Sequence, residues 1–250
     1  MKKDTVIGLL VLIAIAGLVT GFTLYRKYKA RHDLAARIAE LSPQGGPPKK
    51  IEELQEAITL YEAKIEQHVR DAVQTGVYWK ILATRLQDRG LYTDALNAIT
   101  RAIEYTPQEP VLHYMRGMYA AIIAKNSYDT GVARTETPQR NYYFSLAEQA
   151  YLRAIELDAG YGRPRYGLGI LYVFELDRPA EAIPHLERYL EISKNNVDAM
   201  FVLARAYYVN GQNQQALELY ERIPSLTKDP KKQTDAENNK RTILNNRVIQ

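Results

Sequence analysis

Gly76–Glu109 reads GVYWKILATRLQDRGLYTDALNAITRAIEYTPQE, thirty-four residues whose apolar pattern decides the fold. Counted from Gly76, large residues stand at positions 4, 7, 11 and 24 (Trp79, Leu82, Leu86, Ile99). Small ones stand at 8, 20 and 27 (Ala83, Ala95, Ala102). Steps of three and four place each set on one helical face. Gly90 at position 15 suits a turn, and Pro107 at position 32 ends the second helix. The stretch predicts two helices, A and B, with large residues filling their contact and small ones letting them approach closely.

The pattern recurs three times. Pro110–Tyr161 carries His113, Arg116 and Gly117 at positions 4, 7 and 8, then Ala147, Tyr151 and Ala154 at 20, 24 and 27. Between these helices lies a polar insertion, 126–143, expected to be a loop on one rim. Gly162–Asn196 carries Leu168, Gly169 and Tyr172, then, after a one-residue insertion near Asp177–Pro179, Ala182, Leu186 and Tyr189. Tyr189 replaces the small residue at position 27, which predicts looser packing there. Val197–Leu226 carries Met200, Leu203, Ala204, Tyr207, Gly211, Ala216, Tyr220 and Ile223, and Pro224 is expected to end it. The polar segment 227–250 reads as a capping helix or a frayed tail.

At these positions the chain resembles the tetratricopeptide repeat over about Gly76–Leu226. The resemblance implies an all-α solenoid of about four helical hairpins, with helices A lining a concave groove. It also implies that repeat positions 2, 5, 9, 12 and 13 face a ligand. The candidate groove residues are Lys80, Tyr114, Met118, Ile122, Tyr166, Ile170, Phe174, Phe201, Arg205 and Tyr208. Chaperone-binding members hold an acidic tail with a carboxylate clamp. Here Thr84 stands where asparagine is expected and the second repeat's set is uncharged, so that clamp is absent. The apolar, aromatic stripe that remains suits an amphipathic helix or an extended apolar peptide from a protein partner. The alternative occupant is the chain's own helix 51–74 or its C-terminal tail.

Upstream, Thr5–Tyr25 is a run of 21 uncharged residues. As a helix it is about 30 Å long, enough to cross a bilayer. It exceeds the h-region of a cleaved signal peptide and lacks a small-x-small site, so a retained single-pass anchor (5–25) is expected. Two lysines precede the run and Arg26, Lys27, Lys29 and Arg31 come after it, which favours a cytoplasmic C-terminal domain. The short basic start instead reads as a signal-anchor that exports the C-terminal domain. The reading leans to export, with the cytoplasmic side left open. Residues 26–50 form a basic juxtamembrane segment and a Pro/Gly linker. In 51–75, Ile51, Leu54, Ile58, Tyr61, Ile65, Val69 and Ala72 share one face of an amphipathic helix. That helix either caps the first repeat or pairs with a second copy, so homo-oligomerisation through 51–74 stays open. The plan of anchor, glutamate-rich helix and repeats also resembles, more distantly, single-anchor repeat proteins of spirochaetes, some of which belong to the periplasmic collar of the flagellar motor.

Composition removes other classes. The chain has 250 residues and no cysteine, hence no disulfide, thiol nucleophile or thiolate metal site. Its net charge of +4 is misleading, because the first fifty residues hold nine Lys/Arg against three Asp/Glu. The remaining two hundred hold 24 basic and 26 acidic residues, so no domain-wide basic footprint for nucleic acid exists. His32, His68, His113 and His185 lack ligand spacing, and His113 falls at packing position 4, while His185 reads as exposed on helix B. Gly160–Gly162 and Gly167–Gly169 lack the third glycine and preceding strand of a dinucleotide site. No catalytic constellation, metal site or cofactor is expected.

Overall fold

The computed structural model describes residues 20–23, 25–26, 50–127 and 138–248. Among these, every regular element is an α-helix. They are α1 Ile51–Asp88, α2 Tyr92–Tyr105, α3 Pro110–Asn126, α4 Pro138–Leu157, α5 Gly162–Phe174, α6 Pro179–Ile192, α7 Val197–Val209, α8 Asn213–Leu226 and α9 Pro230–Val248. The chain divides into two compact units between Ala72 and Val73. Most of the expected span 5–25 lies outside the described residues. Among the described residues no helix is long and apolar enough to cross a membrane.

In the first unit the described structure is essentially the N-terminal part of α1. Helix α1 does not stop at residue 75 as the sequence suggested; it runs unbroken for 38 residues. A lone glycine costs a helix only about 1 kcal/mol, which packing overrides. Gly76 is buried, and a Cβ there would sit 3.1 Å from Tyr105 Cβ, so its smallness serves the contact with the end of α2.

In the second unit the helices pair as hairpins that stack on their sequence neighbours. The positions read as small are fully enclosed: Ala83, Ala95, Ala102, Ala147, Ala154, Ala182, Ala204 and Ala216 are each 0 % exposed. Gly169 fills the same role in α5, where a Cβ would fall 2.3 Å from Leu186 Cδ2. The core forms two clusters. One joins Ala83, Ala95, Ile99, Leu112 and Tyr119, with Trp79 and Leu86 packed on it. The other runs from Ala120 to Ile243 through Phe144, Leu168, Leu186, Met200 and Ile223. Tyr172 and Tyr207, both at position 11, each donate a hydrogen bond to a glutamate on the preceding helix B, Glu148 at 2.8 Å and Glu187 at 2.5 Å.

The turns repeat one geometry. Gly90 and Gly211 take φ of 74° and 77°, and the residue after each donates back to the helix, Leu91 N–H to Leu86 at 3.0 Å and Gln212 N–H to Tyr207 at 2.8 Å. In the third hairpin Asp177 takes the left-handed place at φ 51°, and Arg178 N–H closes on Tyr172 at 2.8 Å. The inserted residue thus lengthens the turn by one position and hands its left-handed site to an aspartate.

Four expectations need correction. The loop read over 126–143 is shorter, since α4 starts at Pro138 and 128–137 lie outside the described residues. Proline's fixed φ suits a first helical position, so Pro138 starts a helix rather than marking loop. Tyr189 does not loosen its junction. Its ring stacks on Tyr166 with centroids 5.1 Å apart and 18° between planes, while its hydroxyl accepts from Asn196 Nδ2 at 2.9 Å. Pro224 lies inside α8, which continues to Leu226. His185 is half-buried, its ring 6.0 Å from that of Tyr172, rather than exposed.

Candidate functional site

Two neighbouring clefts lie along the helices A. The first, about 200 Å³, is lined from α3 by Met118, Ala121, Ile122 and Lys125, from α4 by Phe144 and Tyr151, from α5 by Gly167, Ile170 and Leu171, and by Glu175 just after it. The second, about 340 Å³, holds Phe174, Phe201, Arg205, Tyr208 and Tyr220, closed on one side by Asn239, Thr242 and Ile243 of α9. Seven of the ten groove candidates line these clefts: Met118, Ile122 and Ile170 in the first, Phe174, Phe201, Arg205 and Tyr208 in the second.

Three candidates lie elsewhere. Lys80 is half-buried on α1 and lines neither cleft. Tyr114 packs edge-on against Tyr161 at 5.6 Å and tilted against Tyr151 at 6.1 Å. Tyr166 lies under Tyr189. Burial pushes both phenols, Tyr114 and Tyr166, above their ordinary value. Position 5 in these two repeats therefore serves helix–helix packing.

The floor of the first cleft rests on a pinched ring. Tyr151 is 5 % exposed and sits between Gly117 of α3 and Gly167 of α5. A Cβ at Gly117 would come within 2.7 Å of the ring, and one at Gly167 within 2.8 Å. Only glycine leaves room for the tyrosine to fill the space beneath the cleft. One wall is fixed by an enclosed ion pair, Arg140 Nη2 to Glu175 Oε2 at 3.1 Å, with the guanidinium 4.7 Å over the Phe144 ring. Arg178 clamps the same junction through Glu148 at 3.0 Å. The walls are thus set by packing, as a preformed site requires. Ile170 and Phe174 remain exposed, at 37 % and 44 %. In the second cleft Arg205 lies 5.4 Å over the Phe174 ring, which places a cation beside the aromatic surface.

Sequence reasoning gave Tyr151 only as a packing residue and the C-terminal tail only as an alternative occupant of the groove, and it missed Phe144, Lys125 and Glu175. Gly117 and Gly167 were the available signal for Tyr151, because glycines inside helices mark close approach. Among the described residues no three His, Cys, Asp or Glu side chains could hold a metal ion. His113 is a buried packing residue, its Nε2 2.8 Å from the Pro107 carbonyl oxygen.

Residues 173–233 match the family model for the tetratricopeptide repeat. The fold is a tetratricopeptide-repeat helical solenoid. Solved structures agree at the level of fold. YrrB, a TPR protein with an unusual peptide-binding site, is 18 % identical with a TM-score of 0.57, covering 73 % of this chain and 83 % of its own. MamA from Desulfovibrio magneticus RS-1 is 15 % identical with a TM-score of 0.55, covering 68 % and 90 %. TTC0263, a thermophilic TPR protein of Thermus thermophilus, is 17 % identical with a TM-score of 0.51, covering 78 % and 92 %. No curated protein sequence matches the chain.

Proposed function

We propose that this chain is a membrane-anchored tetratricopeptide scaffold that holds an apolar or amphipathic peptide of a partner protein in the two clefts. The observation that carries this reading is the first cleft, whose apolar floor is built from three helices and left open by Gly167 and Ile170. Its volume is below the roughly 300–1,000 Å³ of small-molecule pockets and suits one or two partner side chains. Lys125 at its border offers a cation to orient a peptide, while Glu175 is held by Arg140. A binding role, not a catalytic one, also fits the fold. The anchor rests on the uncharged run 5–25, and an exported repeat domain on the short basic start before it. Anchoring confines the clefts to the membrane plane and raises their effective concentration toward membrane partners, as assembly of an envelope complex would use.

The test is Ile122→Asp plus Ile170→Asp in the full chain, with helicity checked by circular dichroism. A partner captured by wild type and lost from the folded variant supports the reading. Undiminished capture by the folded variant overturns it. Carbonate extraction tests the anchor separately: release into the soluble fraction contradicts it.

A further inference from the structure

The N-terminal part of α1 presents apolar side chains to solvent in a regular seam. Ile51 is 70 % exposed, Ile58 56 % and Ile65 61 %, with Leu54 at 37 %. With Ile51 as position a of a heptad, Ile51, Ile58 and Ile65 are all a residues, and Leu54 and Tyr61 are d residues. The outer positions b, c and f carry Glu52, Glu53, Glu56, Glu66, Gln67 and Arg70, with Thr59, Leu60 and Ala63 between them. Glu66 and Arg70 pair along the helix at 2.8 Å on this outer side.

We propose that residues 51–72 form a parallel two-stranded coiled coil with the same segment of a second copy of this chain. The β-branched a residues Ile51, Ile58 and Ile65, with leucine at the first d, follow the chemistry that favours two parallel strands. The flanks permit it. In a parallel pair g meets the following e of the partner helix, so Lys64 faces Val69 with no like charges opposed, while Ala57, also at g, is only 8 % exposed within its own chain. An acidic outer side disfavours an anionic bilayer surface as the occupant instead. The seam fades at His68, Ala72 and Thr75, and beyond it Trp79 and Leu86 turn to the core of their own hairpin. The pairing is therefore short and dissociates on dilution.

Because the chain has no cysteine, a single introduced one reports on pairing without background. The full chain in detergent is oxidised after Leu54→Cys, and in parallel after Glu52→Cys on the outer side. The proposal expects intermolecular disulfide at least about tenfold faster from Leu54→Cys, since d residues of a parallel pair face each other. Equal rates, or no disulfide, overturn it. Co-oxidising the Ile58→Cys and Tyr61→Cys chains tests direction: a mixed disulfide that outruns both symmetric ones means an antiparallel pair and overturns the parallel one. Ile58→Glu plus Ile65→Glu in the Leu54→Cys background should abolish the crosslink while helicity is kept. A crosslink that persists there shows that the seam is not the contact.

Discussion

The two glycines around Tyr151 support a quantitative test of the way the first cleft is built. A methyl carbon at Gly117 would lie 2.7 Å from the ring's Cδ1 and Cε1, and also 3.1 Å from the Ala147 carbonyl oxygen. One at Gly167 would lie 2.8 Å from Cζ. Ordinary contact begins at 3.4 Å, so either alanine must move the ring by several tenths of an ångström. Overpacking of this kind costs about 1–3 kcal/mol, and alanine in place of a helical glycine returns about 1 kcal/mol. Each single variant should therefore lie between wild type and about 2 kcal/mol less stable. In Gly117→Ala the ring can slide toward Gly167, and in Gly167→Ala toward Gly117. The double variant closes both exits. Its cost should exceed the sum of the singles by about 1 kcal/mol or more, the coupling expected for residues sharing one neighbour. Such coupling lowers the melting temperature by about a further 2–4 °C. Far-ultraviolet circular dichroism of the four full-length proteins in detergent measures it. Adding Tyr151→Leu removes the ring, and the coupling should vanish with it. A double variant that melts at or above the additive value refutes the pinch.

Three other outcomes are expected from the geometry. Asp177→Gly should raise the melting temperature, because Asp177 holds a left-handed φ of 51° that glycine adopts freely; the gain is about 0.5–1 kcal/mol, and a decrease would contradict it. Tyr207→Phe should cost about 0.5–1.5 kcal/mol in thermal unfolding by removing the hydroxyl's hydrogen bond to the exposed Glu187 carboxylate, and a neutral effect would show that this bond between repeats contributes nothing. Burial holds His113 below its ordinary 6.5, against the Pro107 hydrogen bond and helped by Arg153 and Arg116; burial and then Arg165 do the same for His185. Both depressed values mean that the folded state resists protonation, so stability is full above pH 6.5 and falls as pH drops through the lower folded-state values. His113→Phe should make that fall shallower, and a melting temperature constant across the window would refute the linkage.

The solenoid was legible because its packing constraints act at fixed spacing. Alanines at 83, 95, 102, 182, 204 and 216 are enclosed where helix spacing required small residues. Less legible was anything decided by contact between distant segments. Gly76 reads as punctuation, and only the approach of Tyr105 shows why a helix passes through it. Tyr114 and Tyr166 carry the composition of a ligand surface, yet their rings meet Tyr161 and Tyr189 instead. The polar pattern of 227–250 could not say that Ala236 and Ile243 would be buried, or that Asn239 and Thr242 would close the second cleft. In the site itself, Met118, Ile122 and Ile170 are placed by repeat position alone. The packing of Tyr151 on α3 follows from repeat position 24 as well, but its second contact, with Gly167 of the next repeat, does not.

The central claim is that the cleft between α3 and α5 is the partner surface. Site-specific photo-crosslinking in cells tests it most directly, with the probe at Ile170 and, for comparison, at Ile192, the same residue type and more exposed, at the end of α6. The account predicts a discrete protein adduct from Ile170, reproduced from Ile122 and missing from Ile192. The same adducts from Ile192, or none from either cleft position, would contradict it.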